Sequence, residues 1–505
     1  MLTKTPAHSN KRARRALIAA ALAACAVPAG AQAATVEMSA DGTTLIHRGA
    51  AGEINSLNVR VVDGAVEVKD FAGLTSRTPL CSSVTSATVR CAIGLPKRIH
   101  TLLGDRNDGT SIRVGIPVIV EGGTGDDSFT AGNGPDPSNI AYHGGFGRDT
   151  VTYRFADRGV RVNASSFFTA DGRKGIDQDN VMDDVDVIQG SEFDDELVDF
   201  TLDSDIGPKT IVGRQGNDVL RSGLGDHGVT FDMGSARDGA DTIVAGDADY
   251  TLVDYSKRTQ PLTVTLDHGN GNDGEPGEGD TITGPVAQVL GGQAGDLIRA
   301  RPDATDGSFI LGGPGDDTLE GADGDDDLRG DAGADTLLGN GGGDILHADD
   351  GFRDIVGCGS GIDTALLDAI DGFTSCENRT VGVLRLAPKT IRAQSGEPVR
   401  LRLGWSHPRA WKQLRSIELH LTQRGAPVGE VTIRPRAKRI SGDGAVELVR
   451  KHTRLTRKGK TVNAHLALRL DPGLAGRTLG LAVTADDVHG ARQVVSRAAT
   501  ISLAR

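Results

Sequence analysis

Residues 312–347 read GGPGDDTLE, GADGDDDLR, GDAGADTLL and GNGGGDILH, four units of nine set end to end without a gap. Each unit opens on glycine (Gly312, Gly321, Gly330, Gly339) and carries another at its fourth place (Gly315, Gly324, Gly333, Gly342). Its sixth place is aspartate (Asp317, Asp326, Asp335, Asp344) and its eighth is leucine (Leu319, Leu328, Leu337, Leu346). A fixed short period of this kind marks a repeat architecture. Glycine at places one and four permits a left-handed φ and a tight turn. Places seven to nine then form a very short strand whose central side chain points inward. One such unit cannot bury a core, but a stack of them buries a continuous aliphatic ladder. A disordered Asp/Gly-rich segment has no need of an apolar residue at every ninth place.

The same stacking gathers the sixth-place aspartates. Like charges so placed repel unless a hard divalent cation sits between turns. Calcium fits, because it takes roughly 6–8 oxygen ligands from flexible carboxylates and loop carbonyls. These residues resemble the RTX nonapeptide repeat, GGxGxDxUx, of bacterial secreted proteins. The resemblance implies a parallel β-roll with calcium in the turns. Its ligands would be sixth-place aspartates and carbonyls of turn residues, including those at Gly312, Gly315, Gly321, Gly324, Gly330, Gly333 and Gly339.

Broken copies lie on either side. GGTGDDSFT and GGFGRDTVT place Asp127 and Asp149 at the sixth position, GRQGNDVLR offers Asp218, and ARDGADTIV offers Asp241 with weaker glycines. GSEFDDELV and GGQAGDLIR lack the fourth-place glycine but keep Asp195 and Asp296. After a one-residue slip at Ala348, DDGFRDIVG and CGSGIDTAL supply Asp354 and Asp363. SGLGDHGVT has His227 where the aspartate belongs, and that imidazole is expected to be a solvated loop residue. A longer repeat is laid over the short one: VTYRFADRGVRVNA from Val151 matches VDYSKRTQPLTVTL from Val253, pairing Tyr153 with Tyr255, Val160 with Leu262 and Val162 with Val264. Each copy then reaches an acidic insert, DGRKGIDQDN or GNGNDGEPGEGD, expected as a solvated loop.

The net charge of −13 hides an asymmetry. Residues 381–505 hold 24 basic and 8 acidic side chains, whereas residues 34–380 stand near −34. An acidic block of that size destabilises itself without counter-ions.

At the N-terminus, KRARR followed by ALIAAALAACAVPAG and Ala31-Gln32-Ala33 has the three parts of a secretory signal peptide. Its apolar run is shorter than the roughly 20 residues that span a bilayer. Arg14-Arg15 also permits the twin-arginine route. Leu22-Ala23-Ala24-Cys25 resembles a lipoprotein cleavage box. If Cys25 leaves with the signal, Cys81, Cys91, Cys358 and Cys376 remain, an even number that suits disulfides outside the cell. Sequence proximity suggests Cys81–Cys91 and Cys358–Cys376.

Residues 34–103 alternate as short strands around an Asp63-Gly64 turn. They read either as a cap on the first turn or as a separate small β domain. From Val381 glycine falls, and VRLRLGW, IELHLTQ, GEVTIRP, VNAHLALRL and LGLAVTA alternate between turn signals. That pattern predicts a β-sandwich of roughly immunoglobulin-like size, with Trp405 and Trp411 as core anchors. Arg450–Lys460 (RKHTRLTRKGK) is strongly basic and reads first as a solvated surface, with an anionic cell-wall polymer or the acidic solenoid itself as alternative contacts. Without interleaved aromatics it gives no case for nucleic-acid recognition.

The expected chain is therefore all-β: signal peptide 1–33, N-terminal β cap 34–103, parallel β-roll or β-helix solenoid 104–380, and basic immunoglobulin-like sandwich 381–505. The expected cofactor is Ca2+. The expected place is outside the cell or on its surface, with an anionic cell-wall or extracellular polysaccharide as partner and no membrane span. Two functions compete. One is a structural or adhesive protein stiffened by calcium. The other is a carbohydrate-active enzyme that uses the repeats as a folding module. The chain has no H-E-x-x-H and no G-x-S-x-G, and its 12 histidines show no metal-ligand spacing, so the first reading is preferred.

Overall fold

The computed structural model describes residues 33–504 apart from 93–95, 135–136, 166–169, 200–206, 224–226, 247–249, 267–270, 369, 380–382, 395, 408–409, 425 and 489–491. The signal-peptide expectation and Cys25 lie outside these residues. The described chain is all-β, with three single-turn 3-10 segments and no α-helix among the described residues.

The nonapeptide strands form where the pattern puts them, at Thr318–Glu320, Asp327–Arg329, Thr336–Leu338 and Ile345–Ala348. In each, the eighth-place leucine is buried and its neighbours are not fully buried, apart from the terminal Ala348. Pairing is parallel and skips one unit: Leu319 stands beside Leu337 and then Val356, while Leu328 stands beside Leu346 and then Ala365. Nine residues thus make half a turn, and two sheets face each other across the leucine core. Consecutive sixth-place aspartates are consequently not neighbours, as simple stacking had implied. Asp317 and Asp326 belong to opposite edges, and alternate units come together.

One face of the solenoid is a single parallel sheet running from Ser56–Val62 and Gly109–Arg113 to Thr364–Leu367 and Asn378–Arg379. The other face is built in three successive sheets. The 102-residue repeat is where one of these hands over to the next. Val160–Ala164 starts the second sheet, and the chain then returns through its acidic insert so that Asn180–Val181 completes the first. Thr263–Thr265 and Thr281–Thr283 do the same between the second and third. The inserts are not solvated loops. Asp171, Asp177 and Asp179 of the first and Asp273, Glu275, Glu278 and Asp280 of the second are buried. Asp171 accepts the N–H groups of Asn163 and Val181, and Asp273 those of Thr265 and Ile282, so one carboxylate holds both sides of each changeover.

The N-terminal strands join this stack. Thr44–Arg48 pairs in parallel with Arg98–Asp105, and one apolar cluster runs from Ala34 to Cys376. Asp63 and Gly64 turn the hairpin, both at left-handed φ (48° and 77°). Disulfides join Cys81 to Cys91, directly opposed in a hairpin, and Cys358 to Cys376 at the last turns. Beyond residue 382 two mainly antiparallel sheets enclose a second apolar cluster that includes Leu401, Trp405, Leu419, Leu466, Val483 and Ile501. Trp405 is fully buried, and Trp411 lies beneath the Arg457 guanidinium, 4.4 Å from its ring centre.

The glycines divide their labour differently from the sequence expectation. None of the first-place glycines has a left-handed φ. They are there because the aspartate of the same unit lies against them: a Cβ on Gly312, Gly321, Gly330 or Gly339 would stand 2.1–2.3 Å from the Oδ2 of Asp317, Asp326, Asp335 or Asp344. The left-handed places are two and four, as at Gly313 and Gly315, with Asp331 and Asn340 serving at place two. A Gly330→Ala substitution is therefore expected to destabilise the calcium-loaded protein by about 1–3 kcal/mol. Gly372→Ala, whose Cβ meets nothing nearer than 3.8 Å, should cost far less. Denaturant unfolding of the two variants separates them, and equal losses would refute the close-approach explanation.

Candidate metal centres

A sixth-place aspartate ends each turn immediately before its three-residue strand. Its backbone N–H points toward the next turn of the same face and has no partner in the sheet ladder. The next aspartate supplies one. Asp317 N donates to Asp335 Oδ1 at 2.9 Å, Asp335 N to Asp354 Oδ1 at 2.8 Å and Asp354 N to Asp371 Oδ1 at 3.2 Å. On the opposite edge the series runs Ser308, Asp326, Asp344, Asp363, Glu377. Earlier turns repeat it from Asn55 through Asp108, Asp127 and Asp149 to Asp186, and from Val160 through Asp195, Asp218 and Asp241 to Asp280. Asp296 bridges Leu262 and Asp317. These are charge-assisted bonds to otherwise orphaned buried donors.

The bond occupies one oxygen of each carboxylate. The other oxygen sorts twelve of these turns into two kinds. In the units of Asp195, Asp296 and Asp326, the N–H of place two (Ser191, Gly292, Ala322) folds back and donates to Oδ2. These turns are capped by their own backbone. In the units of Asp108, Asp127, Asp149, Asp218, Asp317, Asp335, Asp344 and Asp363, place two is left-handed (Gly104, Gly123, Gly145, Arg214, Gly313, Asp331, Asn340, Gly359). There Oδ2 is buried without any donor, and Asp354 has the same orphaned oxygen beside left-handed Gly351. A buried carboxylate oxygen with no partner is costly.

Electrostatics agree. Burial, followed by the charge of neighbouring aspartates, pushes Asp127 and Asp344 up to about 6 and Asp149, Asp218, Asp317 and Asp335 up to about 7. Asp108 and Asp354 rise to about 6, and Asp195, Asp296, Asp326 and Asp363 are raised by the same burial. A cation among these oxygens would reverse the shift.

All eleven aspartates nominated from the repeat pattern are in the ladders: Asp127, Asp149, Asp195, Asp218, Asp296, Asp317, Asp326, Asp335, Asp344, Asp354 and Asp363. Eight of them carry the orphaned oxygen and three do not. Asp108, Asp186, Asp280 and Asp371 were missed. For Asp186, Asp280 and Asp371 the available signal was an aspartate directly before a strand of apolar centre (Ile188, Ile282, Phe373); Asp108 precedes Thr110 and gave no such signal. His227 was misread: it is buried, with Nε2 2.5 Å from Asp199 Oδ2, since the turn that lacks an aspartate brings imidazole and carboxylate together. Among the described residues no three acidic, histidine or cysteine side chains form a ready-made metal cluster. A bound ion would take single carboxylates from successive turns and complete its shell from backbone carbonyls. The donors are all hard oxygens, and they fit calcium.

The class defined by this geometry is a parallel β-solenoid of nine-residue half-turns with an aspartate at most turns. The model of the RTX calcium-binding nonapeptide repeat matches it in four copies, at residues 119–136, 210–226 and 311–346. The chain carries RTX repeats, and RTX nonapeptide repeats bind Ca2+. No curated protein matches the chain. A chain solved in work on T cell specificity and activation by the bacterial superantigen toxic shock syndrome toxin-1 is similar at 8% identity and a TM-score of 0.17, over 24% of this chain and 98% of that one. A likeness that slight carries no argument. Among the described residues no helix is long and apolar enough to cross a membrane.

The raised carboxyl values fix a sign for pH. Between about 4 and 7 the metal-free native state binds more protons than the unfolded chain, so its stability falls as pH rises through that window. Metal-stripped protein should melt at a higher temperature near pH 5.5 than near pH 8. Calcium-loaded protein should lose or invert that trend, because binding displaces the protons. Parallel melts at the two pH values test this, and identical pH dependence with and without metal would contradict it.

Proposed function

We propose that the protein is a calcium-stabilised structural or adhesive protein that works outside the cell. The observation that carries the calcium part is the set of nine buried ladder aspartates whose second oxygen has no donor. Their carboxylates (Asp108, Asp127, Asp149, Asp218, Asp317, Asp335, Asp344, Asp354, Asp363) are the proposed side-chain ligands. Asp195, Asp296 and Asp326 are withdrawn from that role by their capped turns. Carbonyls of the turn glycines complete the shells. Two disulfides fit an oxidising compartment. Calcium is abundant there and scarce inside cells, so binding would supply folding free energy where the chain is meant to fold.

Far-UV circular dichroism during a calcium titration, with magnesium as control, tests this. The β signal should rise with calcium alone, since magnesium demands a near-ideal octahedron and dehydrates reluctantly. Absence of any calcium response would sink the metal sites.

The partner is read from charge. We take residues 381–505 as a sandwich domain that docks the solenoid to an anionic polysaccharide. Its outer sheet face sets Arg402 directly opposite His465, and His465 opposite Arg454, with Arg385 and Arg400 on adjacent strand positions. Arg385, Arg400, Arg402, Arg454 and His465 are exposed. A cross-strand row of exposed basic side chains is favourable against a polyanion. Arg402→Glu with Arg454→Glu should weaken retention on dextran sulfate about tenfold or more, leave neutral dextran unaffected, and flatten the salt dependence. Unchanged retention on dextran sulfate would remove this face from the reading.

A further inference from the structure

Among the described residues only three lysine or arginine side chains are buried: Arg173, Lys209 and Arg258. All three lie between the repeat blocks at 119–136 and 311–346 and outside the block at 210–226, which Lys209 immediately precedes. Each sits in a nest of the donors a divalent ion would use. Arg173 donates from Nη1 to the carbonyl of Gly134 at 2.7 Å, and from Nε and Nη2 to the two oxygens of Asp177 at 2.9 and 3.0 Å. Arg258 donates from Nε to the carbonyl of Met233 at 2.9 Å and from Nη2 to Asp238 at 2.7 Å, and its Nη1 lies 3.0 Å from Glu278. The Lys209 ammonium donates to the carbonyls of Asp183 and Val185.

Lys209 is the most direct case. The register that sets Val187 beside Thr210 puts Lys209 next after Asp149 and Asp186 in the acidic column, where another aspartate belongs. The ammonium replaces that aspartate and faces the charges of Asp183, Asp184, Asp186 and Asp199. The two arginines make the same point through the long repeat. The equivalent of Arg173 in the second copy is Glu275, and the equivalent of Arg258 in the first is Ala156. Each copy therefore supplies its own cation, from different chain positions, to the carboxylates of its insert. Two of the three backbone-capped turns, at Asp195 and Asp296, also lie in this stretch. Asp149, near its start, and Asp218 are its two open turns with an orphaned oxygen.

The block from Gly312 to Cys376 is built otherwise. Its only lysine or arginine side chains, Arg329 and Arg353, are solvent-accessible, and Asp317, Asp335, Asp344, Asp354 and Asp363 all keep orphaned oxygens.

We infer that the solenoid is neutralised in two ways: by tethered side-chain cations, Arg173, Lys209 and Arg258, through residues 138–300, and by exchangeable calcium through residues 312–377. This rests on the reading of the open turns as calcium sites. Its consequence is a graded solenoid. Chelation releases the 312–377 block, where the chain leaves the stack for the sandwich, and leaves the middle folded.

Hydrogen exchange of the intact chain, read by mass spectrometry in calcium and in chelator, tests it. Chelation should cut protection about 100-fold or more at Thr318–Glu320, Thr336–Leu338 and Ile355–Gly357, and change it by no more than about threefold at Val229–Asp232, Thr251–Asp254 and Thr281–Thr283. In Lys209→Met and Arg258→Met the middle strands should lose protection in chelator too, because the remaining carboxylates are left uncompensated. Arg329→Gln, at a half-buried surface pair with Asp327, should match the parent. Loss of both blocks together in the parent chain would overturn the inference while leaving the calcium reading intact. No calcium effect on either block would instead overturn the calcium reading, and the inference with it. The parent-chain comparison decides the matter even if the methionine variants do not fold.

Discussion

A backbone N–H at the end of one turn, donated to the aspartate of the next turn on the same face, is the bond on which this solenoid depends. Parallel strands of three residues make too few ladder bonds to define their own register. The carboxylate fixes it, because it reaches across one layer and finds a single donor. Asp317, Asp335, Asp354 and Asp371 link four layers in this way, and Asp326, Asp344 and Asp363 link the layers opposite. The first-place glycine follows from the same bond, since the carboxylate takes the volume a Cβ would need.

That bond concentrates negative charge in a column, and the rest of the architecture answers the charge. Some turns fold their own place-two amide onto the spare oxygen, as at Asp195, Asp296 and Asp326. In the middle of the stack an arginine or lysine is buried among carboxylates and carbonyls, as at Arg173, Lys209 and Arg258. The remainder leave the oxygen orphaned, and these are the turns whose carboxyl groups burial shifts upward without an internal donor to both oxygens. Protons neutralise them at acidic pH and calcium can do so above it, and the repeats belong to a type that binds calcium. Two long inserts serve the same end by another route. They change the chain from one sheet to the next while one buried aspartate, Asp171 or Asp273, ties both sheets to the turn.

The two apolar clusters divide the described chain at the acidic-to-basic boundary. The solenoid carries its charge inside its turns. The sandwich carries its charge on its outer strands, with Arg402, His465 and Arg454 in one cross-strand row. The acidic charge is thus internal to the turns, and the basic charge is on an exposed sheet face.

The sequence by itself determined the repeat, the all-β class, the inward leucines, both disulfide pairings and every nominated ladder aspartate, because each depends on spacing along a chain that repeats locally. Period nine is visible in Gly312–His347 without knowing what stacks on what. Only the tertiary structure decided that nine residues are half a turn, since Leu319 meets Leu337 and not Leu328. It alone separated open from capped turns, a distinction set by the φ of place two, where Gly313, Asp331 and Asn340 go left-handed and Ala322 does not. It also placed His227 against Asp199 and Lys209 beneath Asp186, pairs more than 20 residues apart in sequence. A buried charge finds its partner through space. The spacing that reveals a repeat carries no record of which layers its exceptions touch.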